Sequence, residues 1–167
     1  MKRLLAFIGI FTVFLILQGC GGSDKSDVNE NTQEVKTIIP QKEYALLIVE
    51  SKSCIYCKQM RKDMREDNKL KEALNKLDVF FILYEDVSLV RTNITGKEMV
   101  VSQRELAQKL NALSFPYLIF FNKKGEIVLR IPDYIEPQTM VCVIDYGNEG
   151  AYKQYKVEEY IKMKKCA

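Results

Sequence analysis

Two cysteines separated by two residues, Cys54 and Cys57, are the side chains of this 167-residue chain best placed to do chemistry. On a helix, residues three apart lie on one side with their Cα atoms roughly 5–5.5 Å apart, a distance that a disulfide can bridge. Ser53 is a suitable N-cap for such a helix. Cys57, Met60 and Met64 follow at helical spacing, which predicts that Cys57 faces the core. Cys54 would then lie at the exposed helix end, and the pair could open and close with little backbone movement.

The charge environment of that helix end favours a thiolate. Free backbone N–H groups and the helix dipole attract negative charge, and Lys52 and Lys58 add to the effect. A thiol with a pKa of about 8.5 is only about 3% ionised at pH 7, whereas a pKa near 6.5 would make it about 75% ionised. We therefore expect Cys54 to be the attacking thiolate and Cys57 to be the resolving thiol. A permanent structural disulfide and half of a zinc site remain as alternatives.

The composition excludes several kinds of site. The chain has no histidine, which removes Ser-His-Asp and Cys-His catalysis and all imidazole metal sites. A zinc site would need Cys142 and Cys166, or carboxylates, to complete it, and the chain has no second Cys-x-x-Cys. We expect no metal and no bound cofactor. The formal net charge of +3 includes Lys2 and Arg3 of a predicted leader, so a nucleic-acid partner is not indicated.

The N-terminus has the pattern of an export signal. Lys2 and Arg3 precede an apolar run over residues 4–17, which as a helix would span roughly 21 Å, short of a membrane core of about 30 Å. The run ends in Leu17-Gln18-Gly19-Cys20, which resembles a bacterial lipobox whose cysteine carries a lipid. A plain secretory signal or an uncleaved anchor are the alternatives.

These features predict three parts of the chain. Residues 1–19 would be a lipoprotein signal peptide, and residues 20–41 a lipidated Cys20 with a flexible, polar tether. Residues 42–167 would be the folded domain. The location implied is the bacterial periplasm, with a lipid anchor in a membrane. An ordered edge segment is the alternative for the end of the tether, residues 35–40.

The folded part has the pattern of a mixed α/β domain. We predict strands at residues 44–49, 79–84, 117–121 and 126–131, an inserted hairpin at 88–101, and helices at 54–66, 69–77, 136–146 and 157–164. A capping box over Ser102 to Glu105 predicts a further helix, with Leu106, Ala107, Leu110 and Leu113 on one face. Parallel first strands and an antiparallel last pair predict a mixed sheet with helices on both faces.

Cys54-Ile55-Tyr56-Cys57 after a strand, followed by Phe115-Pro116-Tyr117 opening a later strand, resembles the thioredoxin superfamily. Within that superfamily the chain resembles lipid-anchored or periplasmic proteins such as the SoxW-type thioredoxins and the C-terminal domain of DsbD, from about residue 44 to residue 164. Stretches 50–60, 96–99 and 131–134 contribute to the likeness. It implies a thioredoxin-like three-layer fold and an exported, membrane-tethered thiol–disulfide oxidoreductase. Its partners would be protein substrates, whose disulfides it reduces, and an integral-membrane electron donor.

The resemblance also assigns roles around the cysteines. It implies that Pro116 is cis and belongs to the catalytic site, and that the Phe115 backbone pairs with a substrate strand. An ordinary trans proline at a strand start is the alternative. Ile55 and Tyr56 occupy the intervening dipeptide, where they would contact substrate. Thioredoxins generally have Gly-Pro there and an aromatic residue in place of Ser53, so the redox potential does not transfer.

The acid–base partner of the cysteines departs from the family pattern as well. The buried aspartate of thioredoxins aligns with Ile48, and Glu50 is the nearest carboxylate. Glu50 is a candidate proton relay for Cys57, or else a solvated glutamate at a strand end.

The remaining cysteines leave a choice open. Cys142 lies in an apolar helical stretch and is expected to be a buried small hydrophobe, whereas Cys166 is expected to be exposed. A Cys142–Cys166 disulfide is the alternative, since four cysteines allow three connectivities. A non-catalytic lipoprotein, with a thioredoxin-like binding surface and a permanently closed Cys54–Cys57 bridge, is the alternative function.

Overall fold

The structure, a computed structural model, describes residues 35–166. Its seven strands are β1 Lys36–Ile38, β2 Tyr44–Glu50, β3 Asp78–Leu83, β4 Leu89–Thr92, β5 Met99–Ser102, β6 Tyr117–Asn122 and β7 Ile127–Ile131. Its helices are α1 Ile55–Glu66, α2 Asn68–Leu74, α3 Gln103–Lys109, α4 Pro137–Asn148 and α5 Val157–Lys164, with a 3-10 turn at Ala151–Lys153. The predicted mixed α/β class is confirmed. None of these described helices has the length and apolar character needed to cross a membrane.

The central sheet has the strand order β3-β2-β6-β7. Strand β2 runs parallel to β3 and antiparallel to β6, and β7 is antiparallel to β6. Every residue of β2 is buried, because this strand lies inside the sheet with helices over both faces. Its unbroken apolar run is the sequence signature of such a strand.

Alternating side chains of β2 enter two separate cores. Leu47 and Val49 pack with Leu106 and other apolar residues of α3 on one face. Leu46 and Ile48 pack on the other face, which α1, α2 and α4 cover. This two-residue alternation is the period of a strand, and it produces the predicted three layers.

The third helix starts as predicted and ends early. Ser102 and Glu105 form the capping box reciprocally. The helix stops at its C-cap, Leu110, and Asn111 has a left-handed φ of 55°. Leu113 therefore lies beyond the helix and is 82% exposed, so its predicted place on the apolar face is wrong.

The predicted hairpin is confirmed and forms part of a second sheet. Strands β4 and β5 are antiparallel, with Thr95 and Gly96 at positive φ in the turn between them. Strand β1 pairs parallel with β4 and buries Ile38 in the core. The ordered alternative for residues 35–40 is therefore the correct one, and folded structure begins before residue 42. The predicted signal peptide, Cys20 and the rest of the predicted tether lie outside the described residues.

The last two cysteines form a disulfide that ties the chain end to α4. The Cα atoms of Cys142 and Cys166 are 6.2 Å apart, and Cys166 is 2% exposed. The expectation of Cys142 as a buried, unpaired small hydrophobe is wrong, because it is half-buried and bonded, and the expectation of an exposed Cys166 is wrong as well. Helix α5 folds back along α4 and brings residue 166 onto this helix, a return that local sequence does not reveal.

Candidate active site

The two cysteines of the Cys-x-x-Cys motif meet at the start of α1. They form a disulfide with Cα atoms 5.3 Å apart, as the helical spacing predicts. Cys57 is buried with 4% exposure, whereas Cys54 is half-buried. The predicted division into an outer and an inner sulfur is therefore present in the structure.

The outer cysteine caps the helix. The Sγ atom of Cys54 accepts a hydrogen bond from the backbone N–H of Cys57 at 3.0 Å. The N-cap is thus Cys54, and the prediction of Ser53 is wrong by one residue. The reason is a turn in which the Cys54 N–H donates to the Ser51 carbonyl at 3.1 Å, which leaves Ser53 exposed in the loop. At this position the sulfur lies against the positive end of the helix dipole, which stabilises the negative charge of a thiolate.

A carboxylate from the neighbouring strand end holds the loop that precedes Cys54. The hydroxyl of Ser51 donates to Glu85 at 2.6 Å, and the Lys52 N–H points at the same carboxylate. These hydrogen bonds, the Ser51 contact above all, lower the pKa of Glu85 below its ordinary value of 4.5. The ionised carboxylate therefore anchors the β2–α1 connection. Sequence reasoning missed Glu85, because only the pairing of β2 with β3 brings it to this loop.

Glu50 is buried and paired with an arginine of α1. It is 8% exposed, and its two carboxylate oxygens accept from the Arg61 guanidinium, with Nε–Oε1 at 2.7 Å. The guanidinium also lies 4.0 Å from the centre of the Phe81 ring. The solvated alternative for Glu50 is therefore wrong. Its role as a proton relay stays a prediction, and any such role would have to operate within this ion pair.

The Phe115–Pro116 peptide bond is cis, as the resemblance implies and unlike the trans alternative. Tyr117, the next residue, pairs with Val49 in the antiparallel register of β6 on β2. Pro116 therefore lies at the end of β2 from which the chain leaves toward Cys54. Pro116 is buried, and the Phe115 ring packs against Tyr84 with centroids 5.2 Å apart.

The dipeptide between the cysteines is open to solvent. Ile55 is 77% exposed and Tyr56 is 60% exposed, and their contact with a substrate stays a prediction. The Tyr56 ring stacks on Tyr134, with ring centroids 5.9 Å apart and planes inclined by 26°. The Tyr134 hydroxyl donates to Asp63 of α1 at 2.7 Å. Sequence reasoning found the 131–134 stretch but gave Tyr134 no role, since its contact with Tyr56 is tertiary.

The four described cysteines are joined as two disulfides. Within residues 35–166, no group of three or more His, Cys, Asp or Glu side chains is arranged to hold a metal ion. What the site offers is a half-accessible sulfur at a helix start, with a buried sulfur bonded to it. That arrangement can exchange disulfides.

Comparison with solved structures finds proteins whose backbone resembles that of this chain. A thioredoxin-fold protein from Helicobacter pylori superposes with a TM-score of 0.68 at 22% identity, over 77% of this chain and 88% of that one. A thioredoxin-like protein from Clostridium perfringens gives a TM-score of 0.47 at 17% identity, covering 74% and 89% of the two chains. Trxlp from Edwardsiella tarda gives a TM-score of 0.45 at 16% identity, over 62% of this chain and 84% of that one. The first of these likenesses supports the thioredoxin fold.

Comparison with sequences identifies the family. No curated protein sequence matches this chain. The family model of the thioredoxin-like domain matches residues 32–148, a span that contains both cysteines of the Cys-x-x-Cys motif, the cis proline and the whole central sheet. The chain therefore belongs to the family of thioredoxin-like domains.

Proposed function

We propose that this protein is a thiol–disulfide oxidoreductase that reduces disulfides of periplasmic protein substrates through Cys54 and Cys57. The observation that carries the proposal is the placement of the Cys54 Sγ atom. It caps α1 at 3.0 Å from the Cys57 N–H and is half-buried, whereas its partner sulfur is buried. An attacking thiol needs access and stabilisation of its negative charge, and this sulfur has both.

The reaction begins with the reduced protein, in which both sulfurs are thiols. The Cys54 thiolate attacks one sulfur of a substrate disulfide, whose S–S bond breaks as a mixed disulfide forms, and the second substrate sulfur leaves as a thiolate. The Cys57 thiolate then attacks Cys54 Sγ, which closes the Cys54–Cys57 bond and releases the first substrate sulfur. Two electrons and the two protein protons have passed to the substrate, which ends as a dithiol.

The direction of this exchange depends on the reduction potentials of the two couples, at about 1.4 kcal/mol for each 30 mV. We propose the reductive direction from the likeness to SoxW-type proteins and DsbD. Each turnover leaves the disulfide form, so a dithiol donor must reduce it again. An integral-membrane protein is the donor proposed, because export and a lipidated Cys20 would hold the domain at a membrane. No bound cofactor is required.

Insulin reduction tests the activity. The full chain, purified in detergent with dithiothreitol as the electron source, should accelerate insulin precipitation, and Cys54→Ser should abolish the acceleration. Cys142→Ala/Cys166→Ala is the matched control, because it removes a disulfide while leaving Cys54 and Cys57 in place. Absence of turnover in the wild type, or full turnover in Cys54→Ser, would refute the proposal in favour of a non-catalytic binding protein.

Two further experiments test the cellular part of the proposal. Cys57→Ser removes the resolving thiol, so mixed disulfides between Cys54 and its partners should accumulate, and their mass spectra would identify substrate and donor. Incorporation of labelled palmitate by the wild type, lost in Cys20→Ser, would support the lipid anchor. A protein that is unlabelled and found in the cytoplasmic fraction would refute both export and tethering.

A further inference from the structure

The loop after β7 contacts two segments that are predicted to meet the substrate. Tyr134 of this loop stacks on Tyr56 of the dipeptide between the cysteines. The carbonyl of Pro132 accepts a hydrogen bond from the Ser114 hydroxyl at 2.6 Å, and Ser114 immediately precedes the Phe115–Pro116 turn. The loop is therefore tied to both sides of the site, although it carries no cysteine and no predicted catalytic group.

Tyr134 is itself held firmly. Its hydroxyl donates to Asp63 Oδ2 at 2.7 Å, while the other oxygen of Asp63 accepts from the Gln59 amide at 2.7 Å. Asp63 and Gln59 both lie on α1, the helix that Cys54 caps. Burial, assisted by the bond to Asp63, raises the pKa of Tyr134 to about 12. The hydroxyl therefore stays protonated and remains a donor at neutral pH.

This anchoring has a consequence for Tyr56. An exposed tyrosine at the second position of a helix has several accessible side-chain orientations, and binding would have to select one of them. Stacking on an anchored ring restricts Tyr56 before a substrate arrives. The distance of 5.9 Å and the inclination of 26° lie in the range of a favourable aromatic pair.

The surface that results is apolar and lies beside the accessible sulfur. Ile55, the neighbour of Tyr56 in the dipeptide between the cysteines, is even more exposed than Tyr56. Large exposed apolar side chains next to a reactive group are suited to contact with apolar side chains of a partner. A substrate segment with an aromatic or aliphatic residue beside its cysteine matches this surface, whereas a polar residue would gain little from it.

We propose that Tyr134 is a positioning residue that fixes the Tyr56 ring as a platform beside Cys54, and that this platform gives preference to disulfides flanked by apolar side chains. The inference rests on the proposed exchange at Cys54 and Cys57. It concerns the affinity for the substrate, since Tyr134 touches neither sulfur in the reaction as written.

Three disulfide substrates separate affinity from chemistry. Two are synthetic disulfide-bridged peptides that are identical except for leucine or serine next to each cysteine, and the third is bis(2-hydroxyethyl) disulfide, which has no side chain. For the wild-type chain we expect a lower KM for the leucine peptide. Tyr134→Leu should raise that KM by about two- to tenfold, the range expected for loss of an aromatic pair, with kcat unchanged. The rates of Tyr134→Leu with the serine peptide and with bis(2-hydroxyethyl) disulfide should equal those of the wild type.

A conservative variant, a control variant and a double variant distinguish positioning from a general effect on the fold. Tyr134→Phe keeps the ring but loses the bond to Asp63, so its KM should lie between those of the wild type and Tyr134→Leu. Tyr155→Leu makes the same change at an exposed tyrosine before α5 and should leave every KM unchanged. Tyr56→Leu and Tyr134→Leu should be non-additive, because removal of either ring destroys the same platform.

The outcomes are distinct. Equal losses on all three substrates, a fall in kcat alone, or an unchanged KM for the leucine peptide would each overturn the role of Tyr134. Failure of the wild-type chain on all three substrates would overturn the proposed function itself. Melting temperatures measured on every variant identify any that has lost its fold, and Tyr134→Phe then provides the test with the ring retained.

Discussion

Replacing both Cys142 and Cys166 by alanine should destabilise the protein without changing exchange at Cys54. The bond joins residues separated by 24 positions, so in the unfolded chain it closes a loop of that length. Closing such a loop restricts the unfolded ensemble and raises its free energy by about 3.5 kcal/mol in the chain-entropy description. For a domain of this size, the loss corresponds to a melting temperature lower by roughly 10–15 °C.

The bond between Cys54 and Cys57 provides an internal comparison. Its partners are only three positions apart, so the same description gives about 1.6 kcal/mol for its removal. Guanidinium unfolding followed by circular dichroism, on the oxidised wild type, Cys142→Ala/Cys166→Ala and Cys54→Ser/Cys57→Ala, measures both quantities. Serine is used at position 54 because its hydroxyl can accept from the backbone N–H at position 57, as Cys54 Sγ does. The ratio of the two losses then depends on loop length.

Two results would refute this reasoning. Equal destabilisation by the two double variants would show that loop length does not govern the effect. Reduced insulin turnover in Cys142→Ala/Cys166→Ala would show that the second disulfide takes part in electron transfer, contrary to a purely structural role. Cys166 is nearly inaccessible, which supports the structural role, since exchange requires an approaching thiolate.

Three further predictions concern the loop before Cys54, a tight turn and the core. Ser51→Ala should raise the pKa of Glu85 toward 4.5, as followed by carboxyl ¹³C NMR. The pKa of Glu85 is lower in the folded than in the unfolded protein, so its ionised form stabilises the fold fully at pH values above about 4.5. This stabilisation is lost as the pH falls through the folded-state pKa. The free energy of unfolding of Ser51→Ala should therefore fall less steeply on acidification than that of the wild type. Gly125→Ala places a Cβ on the Asn93 carbonyl at a φ of +82° and should cost roughly 1–3 kcal/mol from backbone strain alone, measured by denaturant unfolding. Leu47→Ala, at a fully buried position of β2, should cost about 2–5 kcal/mol in the same assay.

The parts of the fold that the sequence predicted correctly depend on local patterns. The apolar runs of β2 and β6 and the Ser102–Glu105 capping box are confirmed. Each of these patterns is set by a few consecutive residues, and a buried strand or a capped helix shows it whatever the surrounding fold. The Cα distance between Cys54 and Cys57 belongs to this class as well, since helical geometry alone sets it.

The features that the sequence did not reveal depend on residues far apart in the chain. Tyr134 donates a hydrogen bond to Asp63, which lies 71 positions away in the sequence, and Ser51 donates to Glu85, which lies 34 positions away. Strand β1 has only three residues, too few to show a period, and the strand gains its stability by pairing with β4. Such contacts follow from the strand order and from the packing of helices on the sheet, which no single segment encodes.

Glu50 illustrates why chemistry needs those distant contacts. From the sequence it is a carboxylate four residues before Cys54, and a proton relay is a reasonable role. In the structure, protonating it would weaken charge-assisted hydrogen bonds to Arg61, and these are among the stronger contacts a buried carboxylate can make. Arg61 lies one helical turn after Cys57 and is held over the Phe81 ring, so it stays paired with Glu50. A proton relay from Cys57 through Glu50 therefore stays a prediction, and it would have to operate while the carboxylate keeps its hydrogen bonds to Arg61.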